Sequence, residues 1–113
     1  MPLALQHLTA DVAVTGQLAP EAMAEAAAAG FRSVINNRPD FEGGPTQPTS
    51  ASVEAAAHAA GLAYAYLPVA SGYQSPEEIA RFAALLDSMP KPIVAFCRSG
   101  ARSGRLVRAA LLG

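Results

Sequence analysis

The sequence predicts an α/β fold, a central and mostly parallel sheet flanked by helices, and three observations predict it. Short β-branched or apolar runs alternate with alanine-rich helical stretches along the 113 residues. Prolines, glycines and capping residues punctuate the alternation. The run "IVAF" at 93–96 is apolar on both faces, as a central parallel strand should be. A chain of this length supports one core, so residues 1–113 are read as a single domain.

Each element follows from local chemistry. "VAVTG" from Val12 reads as a short strand, and "APEAMAEAAAAG" places Pro20 in the first turn of a helix that stops at Gly30. "FRSVIN" is β-branched and alternating, a strand ending near Asn36. The stretch "NRPDFEGGPTQPT" is turn chemistry throughout and must be a loop. Ser50 is placed to cap the helix "ASVEAAAHAAG", "AYAYLPV" follows as a strand, and "SGYQ" is a second loop. Ser75-Pro76-Glu77-Glu78 starts a helix running to about Ser88, and Pro90 and Pro92 frame the turn into "IVAF". A last helix is expected from about Ser103.

Composition narrows the partners. Hydrophobic residues make up 51% of the chain and charged ones 15%, a folded composition, and the net charge of -1 offers no global field for nucleic acid or an anionic membrane. Yet Arg98, Arg102, Arg105 and Arg108 crowd the C-terminal end, so any anion site is local. One cysteine makes no internal disulfide, and no Cys/His pair has metal-ligand spacing; both point to a reducing compartment without structural zinc. The N-terminal stretch lacks a signal-peptide pattern, and no run approaches a membrane span, so the protein is read as cytoplasmic. The alanine-rich helices leave the oligomeric state open.

The chemistry concentrates in "VAFCRSGARSG". A lone cysteine after an apolar strand is usually an inert core residue. Cys97, however, falls where a parallel strand ends and a helix begins, the place where open α/β sheets put ligands. Ser99, Gly100 and Ala101 are small enough for their N–H groups to turn inward, and the helix aims its positive end at the same point. Such a bowl binds tetrahedral anions and favours a thiolate. Arg102 would close over the oxyanion with a planar, bidentate guanidinium, and the hydroxyls of Ser99 and Ser103 can bond the sulfur or the bound group.

"CRSGARS" resembles the active-site loop of cysteine-dependent phosphatases of the dual-specificity kind and that of rhodanese-type sulfurtransferases. With "VTGQLAPEAMAEAAAAGFRSVINNRPDFEGGPTQPTS", "AAGLAYAYLPVASG" and "KPIVAFCRSGARS", nearly the whole chain is similar to a bacterial protein-tyrosine-phosphatase-like family, the beta-lactamase hydrolase-like phosphatase domains. The resemblance implies a dual-specificity-phosphatase-like fold and hydrolysis of phosphomonoesters through a cysteinyl-phosphate. Cys97 would be the nucleophile, Arg102 with the N–H groups from Arg98 through Ser103 the phosphate clamp, and a phosphorylated small molecule or phosphoprotein the partner. No cofactor and no metal are called for. Members also occur beside proteins of sulfide and persulfide metabolism, which keeps a sulfurtransferase carrying a Cys97 persulfide as the alternative, with a non-catalytic oxyanion-binding module as a third.

Two departures from the familiar phosphatase loop stand out. Phe96 occupies the place of the usual His, and four residues rather than five separate Cys97 from Arg102, a length sulfurtransferase loops also use. The loop "ASGYQSPEE" has no carboxylate before Glu77 and Glu78, which the helix start explains, so the candidates for general acid are Asp40 and Glu42; Asp40 is taken as the acid. Arg38 is either a second anion contact or a partner for Asp40. His58 reads as a half-exposed helix residue and His7 as part of a poorly anchored first segment. Tyr64 and Tyr66 read as packed with their hydroxyls at an edge, and Tyr73 as an aromatic near the mouth. Arg105 and Arg108 read as the solvated face of the last helix.

Overall fold

Alternation along the strands resolves into three layers. A computed structural model describes residues 5–112. The elements in chain order are β1 (Gln6–His7), β2 (Val12–Thr15), α1 (Ala22–Ala28), β3 (Ser33–Asn36), α2 (Ser50–Ala59), β4 (Ala63–Tyr66), α3 (Pro76–Ser88), β5 (Ile93–Phe96) and α4 (Ala101–Leu112). The sheet has the order β1-β2-β5-β3-β4, parallel except for β1. The fold is α/β, as the alternation of elements requires.

Successive strand residues face opposite sides, so one strand feeds two cores. Ile93 and Ala95 of β5 pack with Phe82 and Leu86 of α3 and with Leu106 and Val107 of α4. Val94 and Phe96 pack with Met23 and Ala26 of α1 and with Val53 and Ala57 of α2. All four residues of β5 are buried, which is why its sequence shows no polar face.

Several boundaries differ from the sequence expectation, each for a local reason. Thr49, not Ser50, caps α2: its side chain accepts from the Ser52 N–H, and Ser50 is the first helical residue. α4 starts at Ala101, ahead of the expected Ser103. β4 ends at Tyr66 because Pro68 has no N–H with which to continue the ladder, although the Leu67 and Val69 N–H groups still reach the carbonyls of Asn36 and Asn37. β1 was not expected; its pairing with β2 and the stacking of His7 on Phe31 (centroids 6.2 Å) anchor a segment read as loose. α3 follows the sequence closely, with Ser75 and Glu78 forming a reciprocal capping box.

Because β2, β3, β4 and β5 are parallel, the loops that leave them open on the same end of the sheet. Asn37, fully buried, ties these loops together. Its backbone N–H donates to the Phe96 carbonyl (2.8 Å) and its carbonyl accepts from Val69 N–H (3.1 Å). Its side-chain Nδ2 donates to the Leu67 carbonyl (3.0 Å), and its Oδ1 accepts from the Ser103 hydroxyl (2.9 Å). Loops after β3, β4 and β5 and the first turn of α4 therefore share one residue.

Truncation of that side chain leaves the Leu67 carbonyl and the Ser103 hydroxyl buried without these bonds. Asn37→Ala is expected to lose about 2–4 kcal/mol of stability. Urea denaturation should show a lower midpoint at unchanged m; a loss within about 0.5 kcal/mol would mean that Asn37 does not hold the loops together.

Candidate active site

Cys97 follows the last residue of the central strand, and Ala101 begins α4, so the chain must reverse within four residues. Gly100 makes this possible. Its φ is +93°, and a Cβ there would lie 3.2 Å from the Thr15 backbone carbon. In this conformation the Gly100 N–H points back and donates to the Cys97 sulfur at 3.1 Å. Gly16, at the end of β2, lets the loop lie close: an added Cβ would come within 2.9 Å of the Arg98 carbonyl, and that carbonyl accepts from Gln17 N–H.

Cys97 is 1% exposed. Burial pushes its thiol up, but hydrogen bonds from the Ser103 N–H, the Gly100 N–H, the Ser103 hydroxyl and the Ser99 N–H outweigh burial and hold it below the ordinary thiol range. The Ser103 hydroxyl has a single proton and two acceptors, the sulfur and Asn37 Oδ1.

Arg102 is buried beside the sulfur, and its guanidinium is nearly accounted for. Nη1 donates to the Val69 carbonyl (3.1 Å) and Nη2 to Glu42 Oε1 (3.1 Å), while Nε is buried and has no partner among the described residues. Glu42 Oε1 also accepts from Arg38 Nε at 3.0 Å. Burial raises the Glu42 carboxyl, and the two guanidiniums more than reverse that, holding it below the usual carboxylate range. Arg38 is fixed in turn by Gln17 Oε1 (3.1 Å).

A cavity of about 690 Å³ opens over this cluster, with Cys97, Ser99 and Arg102 on one side, Arg38, Glu42 and Gly43 on another, and Ser71, Arg98, Ala101 and Arg105 completing it. The loop that presents Glu42 is tightly built. Phe41 has φ +64°, Gly43 N–H donates to Gln47 Oε1 (2.7 Å), and a Cβ on Gly43 would lie 2.6 Å from Arg38 Nη2.

The residues singled out from sequence thus divide. Cys97, Arg98, Ser99, Ala101, Arg102 and Arg38 line the cavity, and Gly100 and Ser103 direct N–H groups at the sulfur. Asp40 does not line it. Its carboxylate accepts from Ser50 N–H at 2.7 Å, at the start of α2, and its own N–H donates to the Tyr66 hydroxyl. Arg38 pairs with Glu42 rather than with Asp40. The Tyr64 hydroxyl meets Asn36 Nδ2 and Ser50 Oγ. His58 is exposed, 3.9 Å from Glu54.

Gln17, Asn37 and the Val69 carbonyl were not singled out, because each acts through a partner distant in sequence. For Asn37 a signal did exist: an Asn pair directly after an apolar strand is unusual unless one amide is buried and satisfied. Among the described residues no group of three or more His, Cys, Asp or Glu could hold a metal ion, and no helix is long and apolar enough to cross a membrane.

Comparison with known proteins gives the same placement. Residues 4–111 match the family described as Beta-lactamase hydrolase-like protein, phosphatase-like domain. A Beta-lactamase hydrolase-like protein of Xylella fastidiosa is 35% identical over 92 residues, covering 81% of this chain and 21% of that protein. One of Agrobacterium fabrum is 37% identical over 76 residues, covering 67% of this chain and 17% of its own length. The chain thus spans about a fifth of the curated relatives it matches.

Among solved structures, a candidate phosphatase of Neisseria meningitidis superposes with TM-score 0.83 at 26% identity, covering 89% of this chain and 71% of that one. The core catalytic domain of the PP-IP phosphatase SIW14 of S. cerevisiae superposes with TM-score 0.72 at 13% identity, covering 95% of this chain and 64% of that one; this likeness is one of fold. The sheet order, the strand-loop-helix around Cys97 and the match over 4–111 lead to one conclusion: the chain belongs to the Beta-lactamase hydrolase-like protein, phosphatase-like domain family.

Proposed function

We propose that this domain, residues 1–113 acting as one unit, hydrolyses phosphomonoesters through a cysteinyl-phosphate intermediate. The observation that carries the reading is the orphaned Arg102 Nε–H, a buried guanidinium donor in the wall of the cavity that also holds the thiolate. An unsatisfied buried donor of this kind costs about 1–3 kcal/mol. A tetrahedral oxyanion over Cys97 would supply its acceptor and would also compete with Glu42 for Nη2, giving the planar two-point contact that guanidinium makes with phosphate.

In this reading the Cys97 sulfur attacks phosphorus, an S–P bond forms and the P–O bond to the leaving group breaks. Arg102 and the loop N–H groups hold the equatorial oxygens as charge redistributes. Water then attacks phosphorus, the S–P bond breaks, and thiolate and inorganic phosphate are released. The Ser103 hydroxyl, with Asn37 as its second acceptor, can offer its proton to the departing sulfur.

Glu42, not Asp40, is the carboxyl within the cavity, and we assign it the leaving-group proton. At rest it is ionised and occupies Arg102. A phosphate dianion that takes over Arg102 removes one source of that stabilisation and adds a negative neighbour, and both effects raise the carboxyl toward its protonated form. Substrate binding itself would then generate the acid. Phosphotyrosine or another aryl ester suits a loop lacking the usual His, since its leaving group needs little help.

Three outcomes are expected. The depressed thiol should make Cys97 react with iodoacetamide well below pH 8, with vanadate or phosphate protecting it; a rate that follows an ordinary thiol near about 8.5, unprotected, would make the cysteine a plain core residue. Arg102→Lys should lose at least about tenfold in turnover of an aryl phosphate, about 1.4 kcal/mol of barrier, with the fold intact by circular dichroism. Glu42→Gln should slow alkyl phosphates by about 10²-fold or more while sparing activated aryl phosphates, and Asp40→Asn should act uniformly across the series. If the two variants exchange behaviours, Asp40 is the acid after all. A thiosulfate-dependent mass gain on Cys97 without phosphate release from any ester would replace the phosphatase with a sulfurtransferase.

A further inference from the structure

The charges around the cavity fall into two layers. In the inner layer Arg38 and Arg102 share the Glu42 carboxylate, so each of these guanidiniums has an acidic partner. The outer layer differs. Arg98 is exposed, and its guanidinium makes no hydrogen bond or ion pair among the described residues. Arg105 is exposed but not loose: its Nη2 donates to the Ser71 carbonyl at 2.6 Å and its Nε to Gln74 Oε1 at 3.3 Å, which fixes the guanidinium at the rim without neutralising it.

Beside the main cavity lies a second depression of about 360 Å³, in which Gln6, Gly104, Arg105 and Arg108 meet Ser99 and Ala101. Among the described residues no carboxylate lines it. Ala101, Arg105 and Arg108 stand on one face of α4, at the i, i+4 and i+7 positions. Gly104 leaves the space over which Arg108 folds back, since a Cβ there would lie 3.2 Å from Arg108 Nη1. The two hollows share Ser99, Ala101 and Arg105, so only that short rim separates them.

We infer that the depression at Arg105 and Arg108 is a second anion subsite, and that the substrate is a small molecule carrying a second phosphate or carboxylate a few bonds from the scissile phosphate. The inference rests on the phosphatase reading of Cys97 and names its substrate class. A monophosphate fills the inner layer, where the loop N–H groups and Arg102 already serve it. The pinned guanidinium of Arg105 and the unpartnered one of Arg108 remain for the second group, and two charge-assisted contacts there are worth about tenfold or more in affinity.

The test is protection of Cys97 from iodoacetamide at constant ionic strength, comparing methylphosphonate with alkane bisphosphonates whose linkers run from methylene to pentylene. At least one bisphosphonate should protect at about tenfold lower concentration than methylphosphonate. Arg105→Gln/Arg108→Gln should abolish that preference, whereas Arg32→Gln/Lys91→Gln, which removes the same charge at the opposite end of the sheet, should keep it. A bisphosphonate series that merely equals methylphosphonate, or a preference that both double variants reduce alike, overturns the second subsite and leaves the phosphatase reading standing. Failure of methylphosphonate and every bisphosphonate to protect would overturn the oxyanion bowl itself, and the subsite with it.

Discussion

The convergence of N–H groups on a buried sulfur is the interaction on which the rest of the structure depends. Desolvation alone would drive Cys97 toward its neutral form. N–H groups from Ser99, Gly100 and Ser103 converge on the sulfur and hold the thiol below its ordinary range, and that convergence needs a loop too tight for an ordinary residue at Gly100. Thr15 at the end of β2 and Gly16 just after it lie against the tight loop, so the neighbouring strand is part of the site's construction. A central parallel strand flanked on both sides is what gives one atom access to so many fixed donors.

Arg102 shows the same economy of placement. Val69 comes from the loop after β4 and Glu42 from the loop after β3, and the two together aim a guanidinium that belongs to α4. Asn37 stands behind this arrangement and ties the same loops to Ser103. Few rotamers remain open to the Arg102 guanidinium, so it is preorganised toward the cavity. Glu42 acts as a resident anion: its Oε1 accepts from both Arg38 and Arg102 and holds the two arginines in place.

The placement of positive charge also separates binding from chemistry. Arg38 and Arg102 are paired with Glu42, while the arginines on the outer face of α4 are held by carbonyl and amide oxygens or by nothing among the described residues. A protein with a net charge of -1 thereby presents a local basic surface confined to the mouth of one cavity.

What the residues determine by themselves is local. Ser75-Pro76-Glu77-Glu78 begins a helix, "IVAF" is a buried strand, and "CRSGARS" is a strand-to-helix turn rich in N–H donors; all of these were legible because capping, two-sided burial and glycine freedom act between neighbours in sequence. Cys97, Arg102 and the residues between them were legible for the same reason. The tertiary structure alone decided which carboxylate reaches Arg102 and lines the cavity. Asp40 and Glu42 lie two residues apart in one loop, and only the fold of that loop, with Phe41 at positive φ and Gly43 against Arg38, turns one toward Arg102 and the other toward the start of α2. The roles of Asn37, Gln17 and the Val69 carbonyl were likewise hidden, because a hydrogen bond across 21 to 66 residues leaves no periodicity to read: Ser103 reaches Asn37 over 66 positions, Arg102 reaches Val69 over 33 and Arg38 reaches Gln17 over 21.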